Sequence, residues 1–233
     1  MYLDELTMSE FKKKVTPNRI VILPIGATEE HGSHLPLSTD TIQPVYVAEQ
    51  VAKRTGALIA PPIYYGLCSS TANFPGTISI SFDTLYSLVG DVLSELARHG
   101  FKKIVVVSGH AGRLHMAAIR LAAEEIASER PDVKLMVLSD YDIAYDIKDP
   151  EIPQDDGHAG MIETSRVMAI KPRLVKGRGK RGKSGLPRFR VVGDAQNYFP
   201  SGVMGDPTKA SAKKGKEWNA HIVGELTKLV KAL

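Results

Sequence analysis

Two kinds of apolar segment alternate along the chain. Short unbroken runs rich in Val and Ile, at Arg19–Gly26, Ala57–Ala60, Lys103–Ser108 and Val133–Leu138, have the length and β-branching of buried strands. Pro24 and Gly26 stop the first of them, and Pro61-Pro62 ends the second because proline offers no ladder N–H. Between these runs the apolar residues recur at helical spacing. Val45, Ala48, Val51 and Ala52 predict a helix over Thr41–Thr55, and Leu85, Leu88, Val89, Val92, Leu93 and Leu96 predict another, capped by Ser81 or Asp83 and stopped at His99-Gly100. Gly109–Gly112 leads into a third that runs to about Ser128. A short helix is expected from Asp4 to Lys14 and an amphipathic one from Thr208 to Leu233. Strands alternating with helices predict an α/β fold, a three-layer α/β/α arrangement with a parallel-rich central sheet.

The 233 residues, 43% of them hydrophobic, suit a single domain spanning 1–233, interrupted by a basic loop at about 171–190. A formal charge of +4 is too small to imply nucleic-acid binding. Cys68 is the sole cysteine, so it forms no internal disulfide and no cysteine-based zinc site. The charged N-terminus has no apolar signal region and no apolar run approaches the ~20 residues of a membrane span. The expectation is a soluble, cytoplasmic protein with no membrane partner.

In open α/β sheets ligands bind beyond the carboxyl ends of the strands. The loop after the first strand carries Glu29, Glu30, His31, His34 and Asp40, and the loop after Lys103–Ser108 carries His110. Glu29 and His31 stand two apart, which turns both side chains the same way on an extended segment. With Asp40 and His110 they make a mixed N/O set suited to one or two divalent ions, Zn, Mn or Fe(II). Taken singly each is an ordinary solvated loop residue; the grouping points to a metal. A further cluster, Asp155–Ser165, offers His158 as general acid or base, with Glu163 as ligand or orienting group, and is equally consistent with a helix start decorated with acids. Gly177–Gly182 fits GxGxxG, but no strand precedes it and its other positions, Arg178, Lys180 and Arg181, are basic. It predicts a cationic loop able to approach a phosphate, not a dinucleotide fingerprint. No Gly-x-Ser-x-Gly elbow is present, and no histidine neighbours Cys68 in sequence, so nucleophilic Ser or Cys chemistry has little support.

The block Leu23–Asp40 resembles the N-terminal signature of the creatininase superfamily of metal-dependent amidohydrolases. Phe74–Thr77, Ser108–Gly112 and His158–Ser165 resemble its later blocks in the same order, across about residues 20–207. The resemblance implies a binuclear site with Asp40 bridging, Glu29 and His110 on one ion and His31 on the other. Creatininase adds a glutamate two residues after the histidine of its third block; Gly112 stands there, so the second ion lacks one ligand and is weakly held, absent, or completed by Glu163 or water. The family usually has an acidic residue where Met161 stands. It also implies a homo-oligomer, a hexamer as in creatininase.

Creatininase covers its small substrate with tryptophans, whereas the one tryptophan here, Trp218, lies near the C-terminus, which disfavours creatinine. Ser108–Gly112 and Phe199–Ala210 resemble the archaeal branch, which includes a deformylase of a formamidopyrimidine ribonucleotide in riboflavin and deazaflavin biosynthesis. The implied partner is a small molecule, a phosphorylated pyrimidine nucleotide. Alternatives are creatinine or another cyclic amide, a precursor peptide, or a catalytically inactive relative that binds a nucleotide.

Overall fold

A computed structural model describes residues 1–233. Strands β1 (Ile20–Ile25), β2 (Leu58–Ile59), β3 (Lys103–Ser108) and β4 (Lys134–Ser139) form one parallel sheet in the order β2-β1-β3-β4. Pro24 is tolerated inside β1 because its backbone faces the flank where β2 has already ended; there its carbonyl accepts from Ile63 N.

Side chains alternate across the pleat and serve two cores. Val21, Leu23, Ile25, Ile104 and Val106 pack beneath α3 (Phe82–Arg98) and α4 (Arg113–Glu129). On the other face Ile22, Val105 and Val107 pack with α2 (Thr39–Thr55), α5 (Asp140–Ala144), α6 (Met161–Ile170) and α7 (Ala212–Ala232). The α/β/α layering is therefore as predicted. No helix is long and apolar enough to cross a membrane.

Element ends depart from the sequence reading where side chains cap the backbone. The first helix, α1 (Met8–Lys14), starts at Met8 and not at Asp4, because Thr7 and Glu10 form a reciprocal capping box. The last helix starts at Ala212, since Ser211 caps it and Pro207–Lys209 form a separate 3-10 turn. α2 starts at Thr39, two residues earlier than its apolar spacing predicts, so Asp40 sits in its first turn and not in the preceding loop.

That turn lies at the switch point of the sheet. The chain leaves β1 toward β2 and leaves β3 toward β4, so a crevice opens between the two central strands. Two glycines let α2 into it. A Cβ on Gly26 would stand 2.2 Å from Thr41 Oγ1, and one on Gly109 would stand 2.1 Å from the Asp40 carbonyl oxygen. Pro44 supplies no N–H to that carbonyl and packs against Gly109 as well. Gly109→Ala is therefore expected to lower stability by about 1–3 kcal/mol through overpacking against backbone; an unchanged denaturant midpoint would contradict this close approach.

Candidate metal centre and catalytic cleft

The loop from β1 folds back on the crevice through backbone bonds, with Glu29 N donating to Leu37 O and Ile78 N to Thr28 O. Glu29, His31 and Asp40 are buried there, and His110 reaches them from the end of β3. His110 Nδ1 lies 2.9 Å from Glu29 Oε2 and 3.1 Å from Asp40 Oδ2. His31 Nε2 lies 3.0 Å from Asp40 Oδ1 and 3.5 Å from Glu163 Oε2. Asp40 thus presents one oxygen to each imidazole, and the structure brings all four predicted ligands together with Glu163.

The remaining ring nitrogens settle which nitrogen faces the centre. His31 Nδ1 lies 3.1 Å from the Glu29 carbonyl and His110 Nε2 lies 3.1 Å from the Leu67 carbonyl. A carbonyl only accepts, so both of these nitrogens carry protons, and His31 Nε2 and His110 Nδ1 are left to face the carboxylates. Despite the short separations, Glu29 Oε2, His31 Nε2 and Asp40 Oδ2 have no hydrogen-bond partner. Buried donor atoms that crowd together without hydrogen-bonding geometry suit a cation held between them. His31, Asp40 and Glu163 offer ligand atoms that all lie within 4.8 Å of one another, as do Glu29, His31 and His158. The residues present fit a divalent metal.

Charge within the cluster is strongly coupled. Burial disfavours a protonated His31, but Asp40 and Glu163 outweigh it and hold its pKa up at about 10. Burial likewise opposes charge on His110, and Glu29 and Asp40 overcome it, raising its pKa well above the ordinary value. In return, and against their own desolvation, Asp40 is held far below the usual carboxylate range by His31 and His110, and Glu29 is lowered by His110 and His158.

His158 lies on the cleft lining just before α6, its ring centroid 4.3 Å from that of His31. Its Nε2 is 2.8 Å from the Glu30 carbonyl and 3.2 Å from Glu30 Oε1. Burial and the nearby His31 work against its charge, yet Glu29 and Glu30 leave its pKa raised. Ala159 beside it has φ +53°, a conformation that costs a non-glycine residue on the order of 1 kcal/mol. The Phe199–Gly205 segment holds this turn: Met204 N donates to the His158 carbonyl, and Gly202 lies so close to Glu30 that a Cβ there would stand 2.1 Å from Oε2.

Two expectations change. Glu163 makes no hydrogen bond to His158; its Oε2 accepts from Ala159 N and faces His31, and Glu30 is the carboxylate that orients His158. Arg178, Lys180 and Arg181 are exposed and do not line the cleft, and Arg181 pairs with Asp155. The loop passes instead over His34, with Lys176 N donating to the His34 carbonyl, and Gly182 pairs with Gly205. Its glycines permit close packing: a Cβ on Gly179 would stand 2.8 Å from the His34 ring. His34 itself sits beside the centre. Its Nε2 is 2.9 Å from Thr164 Oγ1, and burial and the nearby His31 charge bring its pKa down to about 4.

Several residues escaped the sequence reading. Thr71 donates to Glu29 Oε1 from a loop with no motif of its own. His115 accepts from Leu67 N at Nδ1 and faces Ser108 Oγ at Nε2, while Ser108 bonds the His110 backbone. His115 thereby holds both the segment and the strand end that position His110, and its place five residues after His110 was the available signal. Arg113, Tyr141, Tyr145, Phe199 and Met204 complete the lining of a cavity of about 250 Å³.

The model of the family described as creatininase, creatinine amidohydrolase, matches residues 4–230. Creatinine amidohydrolase of Pseudomonas putida is 36% identical over 194 residues, covering 75% of this chain and 74% of that protein. Mycofactocin precursor peptide peptidase of Mycolicibacterium smegmatis is 34% identical over 219 residues, covering 88% and 81%. A solved mutant creatininase of Zn–Zn type superposes with a TM-score of 0.90 at 28% identity, covering 99% of this chain and 97% of that one. A family model spanning nearly the whole chain, with relatives and a structure agreeing with it, establishes that this protein belongs to the creatininase family of amidohydrolases.

Proposed function

We propose that the protein is a metal-dependent hydrolase of a non-peptide C–N amide, and that its substrate is a 5-formylaminopyrimidine ribonucleotide 5′-phosphate, from which it releases formate. The observation that carries the hydrolase reading is the convergence of Glu29, His31, Asp40, His110 and Glu163 with unpartnered buried donor atoms. Held by these residues, Zn, Mn or Fe(II) would supply a nucleophilic water at neutral pH and polarise the substrate carbonyl.

The chain's own groups supply the rest. Thr71 fixes the Glu29 carboxylate, and Leu67 and the Glu29 carbonyl fix the two imidazoles. His158, anchored through Nε2 on Glu30, keeps its other nitrogen to hand a proton to the leaving amine. Its raised pKa favours the protonated form that an acid needs. Water is added across the C–N bond, giving formate and a free amine.

Substrate choice rests on the cleft lining. Trp218 is buried in the core beside Ile222 and Val223, so no tryptophan covers the cleft as expected for a creatinine site. The aromatic residues there are Tyr141, Tyr145 and Phe199. Arg113, exposed at the cleft and without an ion-pair partner, takes over the phosphate-binding role that the sequence suggested for Arg178, Lys180 and Arg181.

Formate release from the nucleotide, assayed beside creatinine and a precursor peptide, is expected with metal-loaded protein. Turnover confined to creatinine or to the peptide would overturn the substrate assignment. Arg113→Ala is expected to raise KM about 10- to 100-fold with kcat little changed, the cost of one charge-assisted contact. An unchanged KM would remove Arg113 from phosphate recognition.

Metal binding should also displace protons. His31 and His110 are imidazolium ions at neutral pH when carboxylates are their only partners, whereas a ligand imidazole is neutral at the coordinating nitrogen. Protons are therefore released on binding, and affinity rises with pH up to the His31 value of about 10. Calorimetric titrations at neutral pH in buffers of different ionisation heat are expected to show that release; an enthalpy independent of buffer would contradict it.

A further inference from the structure

Cys68 is far in sequence from every histidine and carboxylate of the centre, yet the fold sets it among them. Cys68 N donates to Ser79 Oγ at 2.9 Å, which ties the residue to the neighbouring strand-like segment. Just before it, Leu67 is bound on both sides of its peptide unit, its N–H by His115 Nδ1 and its carbonyl by His110 Nε2. The thiol is buried, 1% exposed, and its sulfur has one weak contact, to the Gly66 carbonyl at 4.0 Å. Ligand atoms of Cys68, Glu29 and His110 all lie within 4.8 Å of one another. Glu29 Oε2, in a side chain buried to the same degree, has no hydrogen-bond partner and lies 2.9 Å from His110 Nδ1.

We infer that Cys68 is a ligand of the metal ion held by Glu29, Asp40 and His110, binding as a thiolate whose proton passes to solvent. This rests on the metal-dependent reading above and assigns unequal roles to its two subsites. Glu29, His110 and Cys68 are grouped directly, and Asp40 Oδ2, 3.1 Å from His110 Nδ1, would bring the donors to four, the number that closes a tetrahedral site. His31, Asp40 and Glu163 make a three-donor set with a position left for substrate or water. The side chain at 112 contributes no donor, because Gly112 has none, and a Cβ there would stand 2.5 Å from His110 Nε2. A thiolate is soft, so the closed subsite prefers Zn or Fe(II) to Mn.

The test is the absorption spectrum of the protein loaded with Co(II), with bound cobalt counted on the same sample. The expected result is a sulfur-to-cobalt charge-transfer band in the near ultraviolet that disappears in Cys68→Ser and Cys68→Ala, with metal affinity at that subsite about tenfold or more weaker. Cys68 is the chain's one cysteine, so no other thiolate can produce the band. Cobalt bound to wild-type protein without the band, or a band retained in the variants, overturns the assignment of Cys68 and leaves the metal centre standing. Absence of bound cobalt overturns both. The wild-type spectrum decides against the proposal even where a variant does not fold.

Discussion

Asp40 can meet imidazoles from two different strands only because the first turn of α2 is pressed against the ends of both. That contact is a backbone matter. Gly26 and Gly109 have no side chain to hold the helix away, and Pro44 has no N–H directed at the Asp40 carbonyl. The parallel order β2-β1-β3-β4 opens a crevice between β1 and β3, and α2 fills its mouth. The cluster around Asp40 follows from this approach, since Glu29 and His31 arrive on the loop from β1 and His110 on the loop from β3.

Such packing concentrates carboxylates where water is excluded, and burial of uncompensated charge is costly. Imidazoles between the carboxylates are one solution, and Asp40 and His31 shift in opposite directions because each favours the charged form of the other. The unpartnered atoms of Glu29, His31 and Asp40 show that protons alone satisfy the cluster incompletely. A divalent cation matches it better in charge and in geometry, and its binding free energy then adds to the stability of the folded chain.

Around the centre a second layer of backbone carbonyls and ordinary side chains fixes tautomers and angles. The Leu67 carbonyl orients His110, the Glu29 carbonyl orients His31, Thr71 holds Glu29, and Glu30 holds His158. Glu30 shows how one strand-like loop serves two purposes. Glu29 and His31 face the carboxylate–imidazole cluster, and the residue between them faces the other way and anchors His158. The Phe199–Gly205 segment closes around that histidine, which accounts for its small residues next to Glu30 and Gly182.

The pattern of apolar runs and helical spacings by itself determined the α/β layering, the strands and the main helices, because burial on a parallel sheet demands continuous apolar runs. Glu29, His31, Asp40 and His110 were legible too, as polar residues on the segments that follow two of the strands. Tertiary structure alone decided the rest. Glu163 belongs with His31 because α6 begins under the β1 loop, and Glu30 replaces it beside His158 because side chains alternate along that loop. The basic segment lies outside the cleft because Gly179 and Gly182 tuck its base against His34 and Gly205. Thr71 and Cys68 come to the site from a loop distant in sequence, and Arg113 from the first turn of α4. Local spacing carries information about neighbours a few residues apart, whereas which loops meet at a sheet's switch point is set by chain topology and close packing.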